Sequence, residues 1–125
     1  MFVKDFRDLE IYQLSLEIGK KIYLITRTFP AEEKFGMSDQ LRRAVASIGA
    51  NIAEAFGRFH YRDKLVFLYN ARGSIYETIH FVELGFAVGY IDQAKKDELL
   101  NELDKLSVKL NNFIRSIGKR GADNK

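Results

Sequence analysis

The stretch LLNELDKLSVKLNNFIRSI, residues 99–117, decides the fold class. Leu99, Leu103, Leu106, Leu110, Phe113 and Ile117 recur in steps of four and three, so an α-helix gathers them into one apolar seam. Asp97, Asn101, Asp104, Lys105, Asn112 and Arg115 fall on the opposite face, which marks a helix half in water. Upstream, Gly89-Tyr90-Ile91 reads as a tight connection and Asp92 as its N-cap. The helix is expected over about 92–117, with 118–125 a frayed polar tail.

Three further seams precede it. Ile11, Ser15, Ile18, Ile22, Ile25 and Phe29 predict a helix over about 8–28, and Pro30 forces its end by restricting the residue before it. Pro30 to Gly36 reads as a short turn or helical loop. Leu41, Val45, Ile48, Ile52, Ala55 and Phe59 predict a second helix over 38–57, with Ser38 as N-cap and Gly57 as a stop. Its back, Ala46, Gly49, Ala50, Ala53 and Gly57, is small where a solvated face would carry Lys or Glu, which points to a closely approaching helix. Leu65, Leu68, Ile75, Ile79, Val82 and Phe86 predict a third helix over 62–88. Between Leu65 and Val88 that helix holds only three charges, Arg72, Glu77 and Glu83, while Val66, Phe67, Tyr69, Phe81 and Leu84 lie off its seam. A four-helix bundle cannot bury every face of one member, so copies of the chain are expected to cover one another. The prediction is an all-α, antiparallel up-down-up-down four-helix bundle forming one domain over 1–125.

The totals agree. In 125 residues, 46% are hydrophobic and 30% charged, and there is one proline, Pro30. That composition supports a core and opposes disorder. Cysteine is absent, which excludes disulfides, thiolate metal sites and cysteine nucleophiles. No apolar run approaches the roughly 20 residues of a membrane span. Met1-Phe2-Val3-Lys4-Asp5 carries no signal-peptide core, so a cytoplasmic chain without membrane partners is expected.

Charge is concentrated in the middle. Residues 34–72 hold seven basic residues against three acids, a net +4, while the rest carries −1. Arg42, Arg43, Arg58, Arg62 and Lys64 suit either an ordinary solvated surface or a phosphate-binding strip. Most aromatic residues sit at seam spacing and suit the core better than base stacking; Phe59 and Tyr61, beside Arg58 and Arg62, are the exceptions. Ser47, Asn51 and Glu54 follow helical spacing along one flank of the second helix. Arg72, set in an apolar helix, needs an anion, and Glu54 is the expected partner in a buried structural polar network. Losing that pair would cost about 3 kcal/mol or more. Glu77 and His80 form one Glu-x-x-His motif, but di-iron bundles need two plus two further glutamates, so a surface or interface pair is expected and no metal or cofactor. No serine–histidine–acid pattern or glycine-rich phosphate loop points to an enzyme; Ala71-Arg72-Gly73-Ser74 falls mid-helix, where Gly73 and Ser74 suit a helix crossing.

The run Phe35-Gly36-Met37-Ser38-Asp39-Gln40-Leu41-Arg42-Arg43-Ala44-Val45-Ala46-Ser47-Ile48, then Ala50-Asn51-Ile52-Ala53-Glu54-Ala55-Phe56-Gly57-Arg58, resembles the four-helix-bundle proteins encoded by intervening sequences in bacterial 23S rRNA genes. Phe67-Leu68, Ala71-Arg72-Gly73-Ser74 and Glu77 match a further block, and Phe6-Arg7-Asp8-Leu9, Phe29-Pro30 and Gly89-Tyr90-Ile91 also fit. Ala55 stands where that family usually has glycine, and Gly49 where it often has proline. The resemblance implies a ring-shaped oligomer, typically a homopentamer, a link to RNA, and kinship with the accessory bundle of diversity-generating retroelements. It supplies no catalytic residues. The resulting expectation is a non-enzymatic homo-oligomer that binds RNA or DNA; the alternative is an adaptor oligomer that binds another protein.

Overall fold

Leu9 is held extended between a 3-10 turn at Phe6–Asp8 and helix α1, Glu10–Thr26, in the computed structural model, which describes residues 5–123. A second 3-10 turn, Ala31–Glu33, leads to α2, Met37–Gly57; α3 spans Tyr61–Ala87 and α4 spans Gln93–Asp123. No strand occurs among the described residues. α1 packs on α2, α2 on α3, α3 on α4 and α4 back on α1, while the diagonal pairs make no close approach. Glu10 meets Lys109 while Lys21 meets Glu98 and Glu102, so residue numbers rise along α1 as they fall along α4. The core lies between the four helices, with Ile18, Ile22, Leu41, Ile48, Ile52, Leu68, Ile75, Leu103, Leu106 and Leu110 essentially sealed from water.

Several local readings are corrected. Ser38 is not the N-cap of α2: it is buried within the first turn, and Gly36 holds the cap position without a side-chain bond. The Glu33 carboxylate accepts from the Met37 N–H at 3.2 Å instead, and its other oxygen accepts from the Tyr90 hydroxyl at 2.9 Å. One side chain thus ties the α1–α2 connection to the α3–α4 connection, and its bond pushes the Tyr90 hydroxyl pKa up. A Cβ at Gly36 would sit 2.7 Å from Glu33 Oε1, so a side chain there would push aside the carboxylate that bonds the Met37 N–H. α2 does end at Gly57, and the chain turns extended at Arg58, so the helical period stops before Phe59. Phe59 is therefore a surface residue, 88% exposed, and not a seam residue.

In α3 the buried face is Leu68, Ala71, Ile75, Thr78, Val82 and Gly85. Ile79 and Phe86 are only half-buried. Small residues occupy this face because α3 packs closely against both α2 and α4; the Thr78 hydroxyl is satisfied by the Ser74 carbonyl at 2.8 Å. α3 closes in a Schellman motif: Tyr90 N–H donates to Gly85 O at 2.8 Å, and Gly89 N–H to Phe86 O at 3.1 Å. Gly89, at φ +88°, supplies the left-handed residue that this turn requires. Asp92 caps α4 as expected, accepting from Lys95 N–H at 2.8 Å. α4 then runs past Ile117 to Asp123, so the tail expected to fray from 118 is helical; residues 124–125 lie outside the described part. Ile114 joins Ile117 in the core while Phe113 sits at its edge.

Candidate nucleic-acid interface

The polar line on α2 divides in two. Ser47 and Ser74 join α2 to α3 through their hydroxyls at 2.9 Å, and the Asn51 amide donates to Ser47 O at 2.8 Å and Ser47 Oγ at 3.0 Å. This part fixes register between the two helices. The expected Glu54–Arg72 pair does not form. Glu54 is exposed and accepts from Arg58, one turn on, at 3.4 Å. Arg72 is half-buried, donates to Asn111 Oδ1 of α4 at 3.3 Å, and lies 5.0 Å from the Tyr69 ring centre. It follows the buried Ala71 and so faces α4, keeping part of its hydration and needing no buried anion.

The five central cations fall into two groups. Arg43 and Arg58 sit ~22 Å apart along one helix at 1.5 Å per residue. In the first group, Arg42 turns toward α1, donating to Thr26 Oγ1 at 2.8 Å and lying 4.9 Å from the Tyr23 ring centre. Arg43 is exposed and pairs with Asp39 at 3.0 Å. In the second group, Arg58 lies 4.6 Å from the Phe67 ring centre, besides its contact with Glu54. Arg62 is exposed and forms no ion pair among the described residues. Lys64 is drawn inward: it donates to Ala55 O at 3.3 Å and Phe56 O at 3.2 Å, capping the end of α2, and burial pushes its pKa down.

The second group has company that the sequence reading did not assign. The last turns of α4 pack against the start of α3; a Cβ on Gly121 would lie 3.2 Å from Tyr61 Cβ. That packing brings exposed Lys119 and Arg120 to the same end of the bundle as Arg58, Phe59, His60 and Arg62. Lys64 and Arg120 line one cleft of about 390 Å³ there, floored by Ile52, Leu68 and Ile117. The missed signal was the Lys119-Arg120 pair itself, a basic last turn of a helix that the period alone ended too early.

Two apolar surfaces remain open. Between α1 and α2 runs a groove of about 520 Å³, with Ala46, Gly49, Ala50 and Ala53 on one wall and Leu16 and Tyr23 on the other. Gly49 is met closely from within the chain, where an added Cβ would be 3.0 Å from Ser15 Oγ, and Ala53 is half-buried, while Ala46 and Ala50 stay exposed. On α3, Val66, Tyr69 and Tyr76 are exposed at helical spacing with Gly73, where an added Cβ would meet nothing within 4 Å, so this glycine serves no crossing among the described residues. Glu77 and His80 are exposed on the same helix, and no group of three or more metal-binding side chains occurs among the described residues. No described helix is long and apolar enough to cross a membrane.

Comparison with known proteins adds a family. No curated protein matches the chain. Among solved structures, a protein of unknown function from the S23 ribosomal protein family of Bacteroides thetaiotaomicron VPI-5482 is 28% identical, with a TM-score of 0.77 over 83% of this chain and 97% of its own. The family model described as 23S rRNA-intervening sequence protein matches residues 7–112, which span parts of all four helices and the Arg42–Lys64 segment. The chain belongs to the 23S rRNA-intervening sequence protein family.

Proposed function

We propose that the chain is a non-enzymatic, self-associating helical bundle that binds nucleic acid, with RNA the expected form. The observation that carries this reading is the state of its arginines. An adaptor with no nucleic-acid role would consume Arg42, Arg43, Arg58 and Arg62 in carboxylate pairs. Among the described residues only Arg43 and Arg58 have such partners, each four residues away in sequence and exposed. Pairs of that kind contribute roughly 0.3–0.5 kcal/mol and yield readily to phosphate. Arg62, Lys119 and Arg120 are exposed. Self-association is supported by the open α1–α2 groove and the exposed Val66–Tyr69–Tyr76 stripe, apolar surface that a second copy of the chain would remove from water. Repeating the chain would multiply the cationic surface and steepen its salt dependence.

The test is a titration of the purified chain against RNA and DNA at low and raised salt, with its mass in solution measured alongside. Binding that weakens steeply with salt, by an oligomer, is expected. Salt-insensitive absence of binding removes the nucleic-acid reading, and a folded monomer at micromolar concentration removes self-association.

A further inference from the structure

Phe59 has no role in the core. Its ring is 88% exposed in the short link between α2 and α3 and is met edge-to-face by His60 at 5.0 Å between centres. Exposure alone does not single this ring out, since Phe35 is 86% exposed as well. The charges around Phe59 do. Arg58 and Arg62 flank it in the chain, and Lys119 and Arg120 stand on the α4 turns that pack against Tyr61. The acids nearest in the chain are Glu54, already engaged by Arg58, and Asp63, exposed in the first turn of α3. The turn that sets Phe6 against Phe56 adds Asp5, engaged by Arg7, and exposed Asp8 to this end, and α4 closes there at Asp123.

The geometry points to this end of the bundle as a binding site for single-stranded nucleic acid, in which Phe59 stacks an unpaired base and Arg58, Arg62, Lys119 and Arg120 contact the phosphates on either side. The inference rests on the nucleic-acid reading above and gives it a location and a strand preference. An aromatic ring stacks on any base whose face is free, which a duplex interior does not offer. A cationic rim is complementary to the backbone of that strand, and Arg62, with no carboxylate partner among the described residues, is the readiest phosphate contact. The rival occupant, an acidic protein surface, would use the cations but gain nothing specific from base stacking.

The experiment uses the full chain with labelled oligouridine, oligothymidine and duplexes of equal length, read by fluorescence anisotropy, with sedimentation and thermal melting on every variant. The wild-type chain is expected to bind single strands about tenfold or more tighter than duplex. Phe59→Ala should weaken single-strand binding about tenfold or more while Phe59→Trp retains it, in line with the worth of one stacked base. Arg62→Ala should weaken binding to any strand and reduce the salt slope by about 0.7. Each variant should keep the wild-type melting temperature and mass, since neither side chain is buried. Should the chain bind nucleic acid while Phe59→Ala binds as well as wild type, this site is refuted and the broader reading stands. No binding to any strand overturns both. If Phe59→Ala changes the sedimenting mass, the ring belongs to a contact between copies and the site is likewise overturned.

Discussion

Gly85→Ala should destabilise the bundle even though it replaces a helix-disfavouring residue with the best helix former. The exchange gains about 1 kcal/mol in helix propensity. Against that, a Cβ at Gly85 would stand 2.8 Å from Ile91 Cδ1, 3.1 Å from Ile91 Cγ1 and 3.7 Å from Phe29 Cζ. Ile91 and Phe29 are both buried, so the isoleucine tip has little room to swing away. Overpacking of this kind costs roughly 1–3 kcal/mol. The net expectation is a loss of up to about 2 kcal/mol. The control is Gly118→Ala in α4, where a Cβ would meet nothing within 4 Å. That exchange should stabilise by roughly 0.5–1 kcal/mol. Urea unfolding measures both, and the two variants should differ by roughly 1–3 kcal/mol, the packing contribution itself. Adding Ile91→Val to Gly85→Ala removes the Cδ1 that clashes and should recover part of the loss. If Gly85→Ala is as stabilising as Gly118→Ala, the close approach of α3 to the α3–α4 connection is wrong.

Glu54→Ala should change stability by less than about 0.5 kcal/mol, because its one ion pair is exposed and local; urea midpoints showing 3 kcal/mol would restore the buried pairing with Arg72. Glu33→Ala removes the acceptor that caps α2 and should cost about 1 kcal/mol by thermal unfolding. Gly89→Ala places a side chain at φ +88° and should cost about 1 kcal/mol by the same assay, with no compensating contact nearby. The Asp5 carboxyl, held down to about 2 from 3.8 by its bonds to Arg7, should titrate near 2 by NMR. Because the folded value lies below the unfolded one, its support for the first turn is present above pH 3.8 and is lost as pH falls through 2.

The four helices were legible because their apolar spacing is nearly uninterrupted, and the Asp92 cap and Gly89 turn carried local signatures. What escaped reading was tertiary. Ala71, Thr78 and Gly85 form half of the buried face of α3, yet their small or polar side chains give no hydrophobic signal; only the nearness of two neighbouring helices explains them. Glu33 caps α2 from outside the helix, four residues ahead of the N–H it bonds, where a reading of adjacent residues favoured Ser38. Arg72 looked buried on the helical wheel, but which neighbour it faces depends on the rotation of α3, and that rotation turned it to Asn111. At the candidate interface, Arg58, Phe59 and Arg62 are visible as a run. Lys119 and Arg120 join them only through the packing of α4 against Tyr61.

The seam between α1 and α4 is the least extensive of the four helix contacts, and it is the one that no connecting loop closes. Its flanks are held by Lys21 with Glu98 and Glu102, and by Lys109 with Glu10, pairs that remain partly in water. The other side of α1 opens on the groove beside α2. Breathing of the bundle should therefore begin with this helix swinging outward, and its amides should exchange with deuterium well before those of α3, whose contacts with α2 and α4 are the most extensive in the bundle. Added salt, by loosening the flanking pairs, should hasten that exchange.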